Sequence, residues 1–334
     1  MHAGKINNAF ETRREEGIPS ASFSYDGYKI ADLAVRALIC EVDTTPKPGL
    51  VDRDNDGAHK DMNHFMFLRS ALALRNCFVE CADLGLRCED FDAEEAAELR
   101  RIGLAGETAM FQATGGVNTH KGLIFSLGII SFACGFLLAQ KYALDEDDFD
   151  GALRFEAEEL RDVCRRMAEL LLGTKAQRSE AVAAEGETHG QQVQRETGIS
   201  GVKGEALSGF GTAFEEGLPV LRAALDFTGE MNEACVETLI HLLAKTDDSN
   251  LVYRGGLEGL EFVRTKAGDL LKRYPGRVQG GDDLYSEEGL EEIRDFDREC
   301  IERNLSPGGC ADLLAITIML NFIVLHKEKR NTYD

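Results

Sequence analysis

The sequence has no tryptophan, 6 prolines in 334 residues, and an aromatic content of 7%. No stretch alternates apolar and polar residues as a half-buried strand does. A βαβ rhythm and an internal repeat are also missing, so sheet-based and solenoid architectures are excluded. The prolines lie in loops or near helix boundaries with a single exception, as helical proteins require. Basic residues are in deficit. The chain carries 37 Lys+Arg against 59 Asp+Glu, a formal charge of −22. That balance disfavours nucleic acid polymers and anionic membranes as partners, because both need a basic surface. The 9 cysteines contain no CxxC pair. Cys77 and Cys81 stand at helical spacing with no second pair to complete a zinc site, and the scattered thiols read as free cysteines of a reducing cytoplasm. The sequence opens without a basic segment and apolar run, so no secretory leader is expected. Long uncharged runs are scarce too. Gly122–Ala139 reaches 18 residues, the lower edge of a membrane span. Three glycines, two serines and a cysteine dilute it, which favours a helix buried at the centre of a soluble fold.

The residues that are present supply one core. Hydrophobic residues make up 43% of the chain, enough to exclude an acidic disordered polymer. Ile30, Leu33, Ala34, Ala37 and Leu38 recur at helical spacing and predict a helix over 30–42. Further helices are expected at 63–83, 92–108, 118–140, 145–173, 217–227, 230–246, 256–273, 286–303 and 308–328. Residues 174–216 carry little pattern. The expected architecture is all-α: a single multi-helix domain over 28–330 with a buried central apolar helix, preceded by a polar, mobile extension, 1–27.

The loops carry the chemistry. Five polar, glycine-rich junctions separate the predicted helices, and rigid elements that position such loops commonly build sites with them. The first runs from Pro46 to Asp61. Its Asp52-x-Asp54-x-Asp56-Gly57 imitates a calcium loop, but Asn63 stands where the bidentate Glu belongs, so an EF-hand is excluded. A carboxylate cluster holding Mg²⁺ through water and a solvated loop capped by Asp side chains both remain open. The second, Thr114-Gly115-Gly116-Val117-Asn118-Thr119-His120-Lys121-Gly122, opens the most apolar helix. Its glycines and free N–H groups suit a phosphate, although the spacing is not a Walker loop, and an ordinary N-cap at Asn118 or Thr119 is the alternative. The third is Gly198–Ala206, with Lys203 and Glu205. The fourth joins Asp247-Asp248-Ser249-Asn250 to Arg254-Gly255-Gly256, a set suited to a metal–phosphate group or to helix caps. The fifth is Asn304–Asp312, with Ser306 as N-cap and Pro307 at the first helical position. Gly308 and Gly309 in that first turn cost roughly 1 kcal/mol each relative to Ala. Something must therefore approach that backbone closely, and a ligand is the expectation.

In this order, the junctions resemble the triphosphoribosyl-dephospho-CoA synthase family over about Ile30 to Leu325. The resemblance rests on Pro46-Lys47-Pro48-Gly49-Leu50-Val51-Asp52, Gly57-Ala58-His59-x-Asp61-Met62, the Thr114–Gly122 segment, Gly204-Glu205-Ala206, Asp248-Ser249-Asn250 with Arg254-Gly255-Gly256, and Ser306-Pro307-Gly308-Gly309-x-Ala311-Asp312-Leu313-Leu314-Ala315. The chain departs from the family pattern at Asn63 (usually Asp), Lys203 (usually Arg), Gly211 (usually Pro) and Cys310 (usually Ser). Lys for Arg keeps the charge and loses the bidentate fork.

The resemblance implies a cytoplasmic enzyme acting on ATP and 3′-dephospho-CoA with Mg²⁺. The 2′-hydroxyl of dephospho-CoA attacks the anomeric carbon of the ATP ribose, adenine leaves, and the product serves the acyl carrier protein of citrate lyase or malonate decarboxylase. Glycosyl transfer of this kind needs a group to take the hydroxyl proton, a donor to the leaving base, and cations for the triphosphate. The candidates are His59, Asp61, His120 and Asp248 for catalysis, and Asp52, Asp61 and Asp248 for metal. Substrate and phosphate contacts fall to Lys47, Gly115, Gly116, Asn118, Thr119, Lys121, Lys203, Glu205, Asn250, Arg254, Ser306, Gly308 and Gly309. Two other classes compete: another all-α Mg²⁺-dependent nucleotide enzyme, such as a pyrophosphohydrolase or ADP-ribosyl hydrolase, and a non-catalytic acidic helical scaffold. A homodimer stays open. Cationic side chains gathered at the junctions inside an acidic shell reconcile the net charge with a nucleotide ligand.

Overall fold

The helices of the computed structural model, which describes residues 24–143, 153–173, 189–275 and 284–325, are numbered in chain order. They are α1 (Tyr25–Asp43), α2 (His64–Ala73), α3 (Arg75–Arg87), α4 (Ala93–Thr114), α5 (Lys121–Ala143), α6 (Ala157–Leu172) and α7 (His189–Thr197). There follow α8 (Gly201–Leu207), a π-turn (Ala213–Gly217), α9 (Leu218–Thr228), α10 (Met231–Lys245), α11 (Ser249–Arg273), α12 (Glu287–Glu302) and α13 (Gly308–Ile323). Among the described residues no β-strand forms, and one parallel bridge joins Phe155 to Val324. The protein is all-α.

The most apolar stretch is the core. From Leu123 to Leu138, α5 is buried at almost every position, as a helix apolar on all sides must be. It crosses α3 backbone to backbone. A Cβ on Gly135 would lie 2.1 Å from the carbonyl oxygen of Ala82, and one on Gly85 would lie 2.1 Å from that of Phe132. The second apolar helix, α13, is buried from Leu313 to Leu320. Amphipathic helices pack around this pair. On α1 the buried stripe is Ile30, Ala34, Leu38 and, one step further, Glu41.

The starts are set by side-chain caps. Ser24, Asn63, Ser286 and Asp248 each accept a backbone N–H of the helix they precede, and Asp92 with Glu95 forms a capping box on α4. Asn63 caps α2 by accepting from Met66 N at 3.0 Å. Asn and Asp cap equally well, so this departure from the family pattern keeps the local structure. At Gly211 the backbone N–H donates to Ser208 Oγ at 2.9 Å, a bond that proline could not make.

Several expectations need adjustment. The single helix expected over 63–83 is two helices, meeting at Leu74, whose backbone sits at φ −83, ψ −9. Residues 189–207, read as patternless, form α7 and α8; they are short and polar, so periodicity gives little signal. The helix expected from 256 begins at Ser249 and kinks at Gly256 (φ 65, ψ −169), a conformation only glycine adopts freely. The extension expected over 1–27 lies outside the described residues as far as 23, and Ser24 already caps α1. The start of the helical region expected over 145–173 lies partly outside them too, and α6 begins at Ala157. All nine cysteines are free thiols.

Candidate active site

The five junctions are tied to one another. The first is pinned to α12 by Asp297, which accepts Gly49 N at 2.8 Å and the Asn55 side-chain amide at 2.9 Å. A Cβ on Gly49 (φ +71) would lie 2.3 Å from the carbonyl of Leu305. His59 Nε2 lies 2.8 Å from Ser306 Oγ, and Arg254 Nη2 lies 3.2 Å from His59 Nδ1. Arg254 can only donate, so Nδ1 accepts, Nε2 carries the proton, and His59 donates to Ser306. Burial and the Arg254 charge both lower the His59 pKa, which keeps the ring neutral. Arg254 also donates to Ala58 O at 2.9 Å and to Asn304 Oδ1 at 3.2 Å. Asn304 occupies the left-handed region at φ 55, which Asn tolerates, and so turns its side chain and carbonyl toward Arg254. First, fourth and fifth junctions thus meet at His59, Arg254 and Ser306.

Asp248 bolts the fourth junction to the fifth. Its Oδ1 accepts Asn250 N at 2.8 Å and Leu251 N at 3.1 Å, capping α11. Its Oδ2 accepts Cys310 N at 2.8 Å. Burial raises its pKa, and these three N–H groups pull it back down. A Cβ on Gly309 would stand 3.0 Å from Asp248 Oδ2, and one on Gly308 2.8 Å from Asn250 Nδ2. The close approach inferred from this glycine pair is therefore real, and the fourth junction makes it. The third junction joins through Gly201, where a Cβ would meet Ser249 Oγ at 2.9 Å. In that junction Glu205 accepts Thr212 N at 3.2 Å and the Thr212 hydroxyl, which closes the end of α8. Lys203 is half-buried.

Lys47 and the second junction form the buried part of the region. Lys47, 1% exposed, donates from Nζ to Glu41 Oε1 at 2.5 Å and to the Glu41 carbonyl at 2.8 Å. The ammonium expected to meet phosphate is thus paired inside the protein. Its charge and burial bring His120 down to about pH 3, burial being the larger cause. His120 is 1% exposed. Thr119 Oγ1 donates to Ser70 Oγ at 2.7 Å, and Ser70 Oγ lies 2.7 Å from His120 Nδ1. Ser70, accepting from Thr119, donates its own hydroxyl hydrogen to Nδ1, which leaves His120 as the Nε2–H tautomer. That buried Nε2 has no partner among the described residues. Asn118 accepts Lys121 N at 3.1 Å, capping α5, and the Lys121 ammonium pairs with Glu107 at 2.8 Å on the surface. Gly115 (φ +68) and Gly116 (φ +95) end α4, with no protein atom within 4 Å of a Cβ built on either, so their backbone is open to an approaching group.

The acidic residues divide by how they are spent. Asp52 is buried and accepts four hydrogen bonds: Thr45 Oγ1, Lys47 N, Asp54 N and Asn55 N. That fills its lone pairs. Asp61 is exposed, 3.8 Å from His59. Among the described residues no group of three or more His, Cys, Asp or Glu side chains is arranged to hold a metal ion. A resident Mg²⁺ cage does not fit this donor set.

Sequence reasoning did not single out Glu41, Ser70 or Asp297, and it named Asn304 and Asp312 only as the ends of the fifth junction, with no role. Glu41 and Asp297 were detectable in principle, as acids on otherwise apolar stripes (Ala34, Leu38, Glu41; Ile293, Phe296, Asp297, Cys300). Ser70 and Asn304 carry no comparable signal.

The class this geometry defines is an all-helical protein whose polar groups converge from five helix junctions. A family model described as ATP:dephospho-CoA triphosphoribosyl transferase matches residues 27–331. The 2-(5''-triphosphoribosyl)-3'-dephosphocoenzyme-A synthase of Escherichia fergusonii is 40% identical over 305 residues, covering 91% of this chain and 92% of that protein. The enzyme of the same name from Klebsiella pneumoniae is 39% identical over 294 residues, covering 88% and 90%. The chain belongs to the ATP:dephospho-CoA triphosphoribosyl transferase family.

Proposed function

We propose that this protein transfers the 5-triphosphoribosyl group of ATP to the 2′-hydroxyl of 3′-dephospho-CoA and releases adenine. Family membership across residues 27–331 carries the reading. The arrangement of the junctions supports it. An open glycine backbone at Gly115 and Gly116 and the N-terminus of α5 suit the triphosphate, with Lys121, Lys203, Arg254 and Asn250 as side-chain contacts. His120, buried, neutral and carrying an unpartnered Nε2–H, supplies a hydrogen bond to the leaving base. His59 and Ser306 form a second donor line, with Arg254 fixing the His59 tautomer. Asp248, Thr119, Glu205, Gly308 and Gly309 hold these groups in register.

Mg²⁺ would enter with ATP and partly neutralise the triphosphate, and the exposed Asp61 could meet it. The product becomes the prosthetic-group precursor of a citrate lyase or malonate decarboxylase acyl carrier protein, made in the cytoplasm.

The test is product analysis by mass spectrometry with purified protein, ATP, Mg²⁺ and dephospho-CoA. Free adenine should form only when dephospho-CoA is present, together with a triphosphoribosylated dephospho-CoA. Adenine or pyrophosphate formed from ATP and water alone would make the protein a hydrolase instead.

A further inference from the structure

Most acidic side chains of the converging junctions already hold something. Asp52 holds four donors, Asp248 three backbone N–H groups, and Asp297 Gly49 and Asn55. Glu205 holds Thr212, and Glu41 is paired with Lys47. Asp312, in the second turn of α13, differs. It is half-buried, yet among the described residues it accepts no hydrogen bond and forms no ion pair. Its carboxylate lies against the first turn of α5, where a Cβ on Gly122 would stand 2.4 Å from Asp312 Oδ2. Two residues before Gly122 is His120, whose buried Nε2 also lacks a partner. An acceptor and a donor, both unspent, therefore flank the start of one helix. Leaving a buried polar group unpaired costs about 1–3 kcal/mol, so the His120 Nε2–H, at the same helix start as a carboxylate that holds no protein group, marks a place completed by something else.

We infer that Asp312 is the catalytic base that takes the proton of the attacking 2′-hydroxyl. The inference rests on the transferase reading above. As the O–H bond breaks, its proton passes to Asp312 and the hydroxyl oxygen forms the new bond to C1′. The C1′–N9 bond breaks and its electron pair leaves with adenine, which draws a proton from solvent. Asp312 then returns its own proton to solvent, so none is gained or lost. The surroundings suit a base. Burial, and then the negative charges of Glu41 and Asp248, raise the Asp312 pKa well above the usual carboxylate range, which strengthens its hold on a proton. Lys47 is paired with Glu41, His120 is neutral, and Cys310 is held as a thiol by burial, so no free cation faces Asp312 to weaken it.

The test is D312N, measured for turnover and for thermal stability with purified protein. Loss of a general base should lower kcat by about 10²–10⁴-fold with the KM for ATP within a few-fold of wild type. The melting temperature should hold or rise, because the carboxylate that is removed holds no protein group. G122A provides a second arm: its methyl group occupies the space of the carboxylate, and kcat should fall with the charge still present. D312N turnover within threefold of wild type overturns the assignment. So does a D312N melting temperature that falls in step with activity, since that describes a structural residue. Wild-type protein that releases no adenine with both substrates would overturn the reaction and the base together, whereas an active wild type with an active D312N overturns the base alone.

Discussion

His120 owes its neutrality to its position rather than to its chemistry. An ordinary imidazole titrates near 6.5 and this one is brought down to about 3, a difference of roughly 4–5 kcal/mol between its two protonation states. The unfolded chain therefore binds a proton in a window where the folded protein does not. Stability is fully present above the ordinary value and is lost as pH falls from about 6.5 toward 3. H120Q removes that contribution. Between pH 7 and pH 5 wild type should lose about 2 kcal/mol more than the variant, read as the difference in urea midpoints; equal losses would show the ring to be solvated. At this scale the sequence was partly legible. Glycine, histidine and the short polar runs were recognisable as special. Their partners were not, because Ser70 meets His120 through the approach of separate helices and Lys47 meets Glu41 through the fold-back of the loop that leaves α1. Lys47 is the instructive case. A lysine in a glycine-rich loop reads as a phosphate ligand, and only the burial of Glu41 on the apolar stripe of α1 shows where its charge goes.

The strongest element, α5, was also the easiest to read, since an uncharged run of that length has nowhere to go but the core. Its packing against α3 depends on two glycines that bring backbones together at Gly85 and Gly135. Alanine ordinarily improves a helix interior by about 1 kcal/mol over glycine. Here a methyl at 135 would sit 2.1 Å from a backbone carbonyl that cannot move aside cheaply. G135A should therefore destabilise by about 1–3 kcal/mol, seen as a lower midpoint in chemical denaturation; a higher midpoint would mean that the crossing has room. Elements with weaker periodicity were less legible. The break at Leu74 interrupts a run that is apolar on both sides, and the polar helices α7 and α8 bury too few side chains to leave a stripe. The Gly256 kink displaced a helix start by seven residues, from 249 to 256, because glycine reads as a boundary whether it ends a helix or bends one.

For the molecule as a whole, acid collects outside and shared contacts inside. Glu287, Glu288, Glu291, Glu292 and Asp295 line one exposed stretch of α12, and their pairs with Arg294 and Arg298 are solvent-exposed, worth little each. Repulsion within a chain of net charge −22 should therefore outweigh them. Raising NaCl from about 10 to about 150 mM shortens the screening length from roughly 30 to 8 Å and should raise the melting temperature. A fall would mean that the surface pairs dominate. The net charge alone does not say where individual cations sit: Lys121 opens α5, and Arg254 lies two residues before the kink of α11. The tie between Gly49 and Leu305, and the bolt from Asp248 to Cys310, have a consequence for synthesis. The first junction leaves the ribosome some 250 residues before its counterparts on α12 and α13. During that interval α5 can shelter its apolar surface against α1, α3, α4 and α6 but not against α13, and a chain stopped near residue 300 would carry four junctions without the fifth. The junctions come together only when α13, the last of the described helices, has been made.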